Sequence, residues 1–327
     1  MRHILIPILI LLSAGLPGMD EPGEFSIRPC LPLDQAVLDT LRRNLAADPA
    51  SAAVATQVRA EARALVARTP TPLARIRYEG LVNTDPDRIA DVTALRSMDD
   101  VAALVQAWQA GADAGIAAAL HAHLLAWAET YRPTGNDVNE NKLVPLLVAF
   151  AAVGTDLADG QREQVAAWIT DLGSRHADEV TEATRLTNRY TKHVRLAVFC
   201  GRALGRADWV DLGRVGIERF VSESLRADGT SLDLERRDSL TYHCSALVPA
   251  LELAALMGAT GRNLYSWEAT TGASLQRSVD YVVPYATGAK TRAEWVNTTV
   301  DLDRRRAAAG IEKYRPGRLF DPKDACG

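Results

Sequence analysis

The feature that most constrains this chain is a succession of at least eight segments with helical composition, joined mostly by short breakers and interrupted by no convincing run of strands. The pattern predicts helices over Leu33 to Ala47, Ala50 to Arg68 and Met98 to about Tyr131, the last divided at Gly111 and Gly115. It continues over Lys142 to Val153, Gln161 to Ser174, Tyr190 to Leu204, Asp208 to Leu225, Asp238 to Met257 and Gly272 to Tyr285. Arg292 to Thr299 reads as one more short helix. Thr69 to Arg88, with Pro70, Pro72 and Pro86, reads as a long loop, as does the tail from Tyr314. Short connections make successive helices antiparallel neighbours. Such hairpins in series build a solenoid, an irregular bundle or a closed (α/α) toroid, and the lack of a strict repeat weighs against the solenoid. The expectation is a single all-α domain over residues 19–327, with no linker-like composition to divide it.

Composition agrees. A chain of 327 residues that is 47% hydrophobic can bury a large core, and its abundant Ala and Leu favour helices. A net charge of -4 and a pI near 5.9 give no reason to expect nucleic acid or an anionic membrane as partner. A polyanion would need a local basic patch.

The N-terminus reads as an export signal over residues 1–18. Arg2 and His3 precede an apolar run, Ile4 to Leu12, and then the small residues Ser13, Ala14 and Gly15. That run is too short to span a bilayer, and no second segment reads as transmembrane. The mature protein is expected to be secreted or periplasmic and free of the membrane. Its four cysteines, Cys30, Cys200, Cys244 and Cys326, then permit disulfides in any of three pairings. Cys30 with Cys326 is the expected bridge, since both lie in loops near the termini.

Three stretches place polar groups at helix starts. Thr134 to Asn141 holds three Asn in six residues, and Asn136 and Asn139 could bind sugar hydroxyls or simply cap a turn. Thr187 to Arg195 gathers Asn188, Arg189, Lys192, His193 and Arg195. Asp228 to Cys244 carries Arg236, Arg237, Tyr242 and His243 behind an Asp-Gly turn. A guanidinium that holds an anionic group beside a phenol that moves a proton suits acid–base chemistry, while a charged helix start with a half-buried Tyr is the plainer reading. The remaining histidines, His121, His123 and His176, have no metal-ligand spacing, and no Gly-rich phosphate loop or nucleophile elbow is present, so no cofactor or metal is expected. A hydrolase pair could be drawn from Glu140, Asp228, Glu235 and Asp238.

Four segments taken together resemble the alginate lyase-like superfamily of polysaccharide lyases, and most closely polysaccharide lyase family thirty-eight. They are YRPTGNDVNENKLVPLL, NRYTKHVRLAVFCGRALG, DGTSLDLERRDSLTYH, and SWEATTGASLQRSVDYVVPYATGAKT with the trailing RRRAAAG, from Tyr131 to Gly310. The resemblance implies an (α/α) toroid that cleaves alginate or glucuronan by metal-independent β-elimination. It makes Asn188 the amide that neutralises the uronate carboxylate and His193 a base or positioning group. Tyr242 becomes the proton carrier, and Arg236 or Arg237 the arginine. Asn136 and Asn139 would line a sugar subsite, with Arg189, Lys192 and His243 as further binding residues and Arg195 as further lining. The other readings are a glycoside hydrolase on a similar toroid and a non-catalytic carbohydrate binder. Preference among uronates and oligomeric state stay open.

Overall fold

The computed structural model describes residues 30–82, 84–183, 185–258 and 263–323. The expected leader and Cys326 lie outside the described residues. About 68% of the structure is helical, and the described residues contain no strands, only the isolated bridges Leu225 to Ser231 and Ala293 to Leu319. By contact the chain falls into two compact units. The first is built from residues up to Arg175 together with Phe199–Ala207, and the second from His176–Val198 and from Asp208 onward.

Aspartates start most helices of the first unit. Asp34 caps α1 (Gln35–Ala47), Asp48 caps α2 (Pro49–Arg63), and Asp113 caps α5 (Ala114–Thr130), each carboxylate accepting backbone N–H groups of the first turn. α3 (Pro86–Leu95) falls partly inside the stretch expected to be loop. Asp85-Pro86 is a cap followed by proline at the first helical position, a start signal rather than a breaker. Gly111 ends α4 (Ser97–Ala110), as its position suggested. The short α6 (Asp137–Glu140) leads into α7 (Val144–Val153), whose sequence is apolar throughout because all of it but Ala151 and Ala152 is buried. α4 packs on α1, α2 and α7, with Leu104, Val105, Leu120, Leu124, Trp127, Leu146 and Leu147 fully enclosed. Each such side chain contributes roughly 1.5–3 kcal/mol of burial.

α8 (Asp159–Glu182) and α9 (Asn188–Leu204) run from one unit into the other. In the second unit, α10 (Ala207–Ser224) crosses α9 so closely that a Cβ on Gly216 would lie 2.8 Å from Val194. Glycine is required there by contact rather than by backbone angle. α11 (Leu232–Arg237), α12 (Leu240–Met257) and α13 (Leu275–Ala286) follow, with α12 packed against both neighbours. α12 is long and apolar enough to cross a membrane, which the sequence reading overlooked, yet 56% of it is buried inside the protein, as befits a core helix.

The helix expected over Arg292 to Thr299 does not form. That segment is a loop, and the helix lies further on as α14 (Asp301–Ala308), followed by a single 3-10 turn, Glu312–Tyr314. Only Asp303 of α14 is buried, so the helix has no apolar stripe to reveal it in the sequence. Backbone bonds strap the loop to the α11–α12 junction: Trp295 N donates to Asp238 O and Thr299 N to Arg236 O, each at 2.8 Å.

Candidate functional site

The junction between α11 and α12 brings the polar groups of the second unit together. α11 ends at Arg237, and Asp238 adopts the left-handed conformation that turns the chain (φ 50°). Ser239 then caps α12, its side chain accepting from Tyr242 N at 3.3 Å. Buried Glu294 holds this start from outside, accepting from the Ser239 hydroxyl and from the Thr241 N–H and hydroxyl at 2.8–3.0 Å. A reversal within two residues puts the last side chain of one helix over the first turn of the next. The Arg237 guanidinium therefore lies 3.9 Å from the centre of the Tyr242 ring.

Two carboxylates fix Arg237. Asp303 pairs with it at 2.5 Å, and Asp233 lies 3.9 Å away, one turn back on α11. Asp233 in turn accepts the backbone N–H of Asn188 at 2.6 Å, at the start of α9. Asn188, Asp233, Arg237 and Tyr242 are thus linked by successive contacts. Burial pushes the Asp233 carboxyl up to about 6, against the pull of the Asn188 N–H and of Arg237, Lys192 and Arg236. Of the two candidate arginines, Arg237 meets Tyr242. Arg236 is half-buried, and its carbonyl anchors the loop through Thr299.

His193, on α9 beyond Asn188, is 8% exposed, and its Nδ1 lies 2.8 Å from Nδ1 of the fully buried His176. At that distance one Nδ1 donates and the other accepts.

The Tyr242 oxygen faces residues that sequence reading passed over. It lies 3.1 Å from the Tyr314 hydroxyl and 3.5 Å from Arg306, and Arg306 donates to Tyr314 at 2.7 Å. Trp295 packs edge-on to Tyr242 at 5.7 Å and tilted to Tyr314 at 4.9 Å. The triple-arginine run of α14 was visible in the sequence, but nothing local said which arginine turns inward. Tyr314 sat in a tail without periodicity, and His176 had no spacing to tie it to His193.

Several expected residues are placed otherwise. His243, expected to bind substrate, is completely buried, with Nδ1 on the Ser231 hydroxyl at 2.7 Å, and burial drives its pKa down to about 4. It follows Tyr242 on the helix and so faces the core when Tyr242 does not. Arg195, expected to line a basic cleft, is buried against Glu252 at 2.5 Å. Arg189 is exposed and Lys192 half-buried. In the first unit Asn139 is spent on the segment that precedes α3, accepting from Glu79 N at 2.8 Å and donating to Ile76 O at 3.0 Å, so its amide does not line a sugar subsite. Asn136 caps α6 by accepting from Asn139 N at 3.0 Å, and its amide donates to Glu79. The capped-turn reading describes both.

The carboxylates of the hydrolase reading are also occupied. Glu140 accepts from the Tyr131 hydroxyl, from Thr134 and from Gly135. Asp228 accepts from Thr230, Glu235 pairs with Arg226, and Asp238 pairs with Arg292. Among the described residues no three His, Cys, Asp or Glu side chains are grouped to hold a metal ion.

Comparison with known proteins gives this all-helical chain a family. The alginate lyase family model matches residues 43–292, and the chain belongs to that family and is a polysaccharide lyase of uronate polymers. Among solved structures it is similar to an alginate lyase from Bacteroides ovatus, with a TM-score of 0.61 at 12% identity over 88% of this chain and 92% of that one. It is also similar to alginate lyase A1-III from Sphingomonas species A1, with a TM-score of 0.58 at 17% identity over 88% and 92%. A tyrosine-to-phenylalanine variant of A1-III complexed with a tetrasaccharide matches with a TM-score of 0.59 at 18% identity over 88% and 91%. The fold is the (α/α) toroid of these enzymes. No curated protein matches the sequence.

Proposed function

We propose that this chain is an exported lyase that cleaves alginate or glucuronan by β-elimination using protein groups alone, as expected of polysaccharide lyase family thirty-eight. The proton on C5 of a uronate becomes acidic only when the adjacent carboxylate is neutralised. Asn188 and Arg237 are the groups assigned to that task. Tyr242 takes the C5 proton, the C–H electron pair becomes the C4–C5 double bond, and the C4–O bond breaks. The leaving oxygen receives the proton from Tyr242 when elimination is syn. His193, steadied by His176, orients the sugar or serves as base on the other face. Arg189 and Lys192 are assigned to further carboxylates of the polymer.

The observation that carries this reading is the Arg237 guanidinium stacked on Tyr242 and tied through Asp233 to Asn188. A panel of poly-uronates assayed for the ultraviolet absorbance of an unsaturated uronate tests it. Reducing ends without that absorbance would make the protein a hydrolase, and neither product would make it a binder. The hydrolase is disfavoured because its four candidate carboxylates already hold the protein's own loops and arginines.

A further inference from the structure

We propose that Arg306 and Tyr314 are positioning residues that act through Tyr242, forming a donor chain that stabilises its phenolate. This rests on the reading of Tyr242 as the proton carrier. An arginine only donates, so the N–H of Arg306 that reaches Tyr314 at 2.7 Å occupies a lone pair of that hydroxyl and turns its hydrogen elsewhere. The Tyr242 oxygen, 3.1 Å away, is the acceptor in reach. The chain runs Arg306 N–H to Tyr314 O–H to the Tyr242 oxygen, each bond polarising the next. It directs the hydrogen of a neutral Tyr242 away from Tyr314, and it supplies a donor to an ionised one.

The groups around the two phenols differ. α11 presents Arg237 over the Tyr242 ring, α14 presents Arg306, and the carboxylate of Asp303 is held by Arg237 and Thr298. The loop adds the apolar face of Trp295, while Glu294 is occupied by Ser239 and Thr241. Arg306 thus stands at the Tyr242 oxygen, while Arg237 lies over the ring with its charge shared by Asp303 and Asp233. Tyr314 is 9% exposed, and burial holds its phenol well above the usual range, so it stays a donor.

The step balances within the proposed elimination. The Tyr242 phenolate gains the C5 proton and gives it to the leaving oxygen, so it ends as it began, and Tyr314 keeps its own proton throughout.

The test uses the full chain with ring-carbon-labelled tyrosine, the Tyr242 signal being assigned from Tyr242→Phe. In Tyr314→Phe the midpoint of Tyr242 ionisation should rise by about 1–2 pH units, the scale of one charge-assisted hydrogen bond. The kcat near neutral pH should fall about 10–100-fold and recover as pH rises, with KM unchanged, because only the phenolate fraction has dropped. Arg306→Met should move the midpoint the same way, and Arg306→Lys, which keeps the charge, should restore much of it. An unchanged midpoint, a loss of kcat equal at every pH, or a rise in KM alone would overturn the inference while leaving Tyr242 in its role. A fully active Tyr242→Phe protein would instead remove the underlying reading, and this inference with it.

Discussion

The backbone N–H of Trp295 donates to the carbonyl of Asp238 at 2.8 Å, and these two are the non-glycine residues with positive φ among the described residues, 66° and 50°. Each such conformation costs of order 1–3 kcal/mol and persists only where the surroundings enforce it. Here Arg292 and Asn297 grip the Asp238 carboxylate, and the Trp295 ring is closed in by Tyr242 and Tyr314. The distorted backbone sits where the phenol must be held. Trp295→Ala should therefore destabilise the protein by about 3–5 kcal/mol in denaturant unfolding, the cost of emptying a large aromatic site. It should also lower kcat more than it raises KM, because Tyr242 and Tyr314 lose their common wall. A small stability change would mean that the loop bonds alone hold the junction.

Tyr242→Phe removes one oxygen and almost no packing area. Its turnover on poly-uronate should fall well beyond 100-fold, while unfolding midpoint and substrate binding change little. Arg237→Lys keeps the charge but loses the planar stack and the fork that meets Asp233 and Asp303. A loss of at least tenfold in kcat is expected from it, read by the same absorbance assay. Arg236→Lys should have a smaller effect, because its carbonyl rather than its side chain makes the observed anchor.

His243 gives the pH dependence a definite sign. Its folded pKa, about 4, lies below the ordinary value of 6.5, so the unfolded chain binds its proton first as pH falls. The stabilisation is fully present above about pH 6.5 and is lost as pH falls through 4, amounting to about 3 kcal/mol at most. Asp233 works the other way between pH 3.8 and about 6, where its raised pKa favours the folded state as pH falls. The measurement is therefore the difference between wild type and His243→Gln in denaturant unfolding from pH 7 to pH 4. The variant should show the shallower decline, and parallel curves would mean that the ring is not held neutral.

Asn139→Ala separates a loop clamp from a sugar ligand. It leaves the Glu79 N–H and the Ile76 carbonyl without their partner, which should cost about 1–3 kcal/mol of stability. KM for the polymer should stay within a few-fold. A large rise in KM at unchanged stability would return Asn139 to the substrate.

The sequence by itself determined the fold class and the residues to watch. Helical periodicity is a local property set by backbone hydrogen bonds and side-chain spacing, so most helices could be read from composition and breakers, and the apolar helix α7 with them, although the caps Asp34 and Asp113 were not picked out. The separated motifs around Asn188, His193 and Tyr242 were legible for the same reason, each being a short pattern at a helix start. Tertiary structure decided which neighbour does what. Adjacent residues on a helix face different ways, and that put Tyr242 beside Arg237 while sending His243 into the core. The left-handed turn at Asp238 chose Arg237 over Arg236, because one residue of register there rotates the guanidinium by about 100°. His176 lies 17 residues from His193, and Trp295, Arg306 and Tyr314 lie 53 to 72 residues from Tyr242. Contacts at that separation depend on how the chain folds back on itself, and no local spacing encodes them.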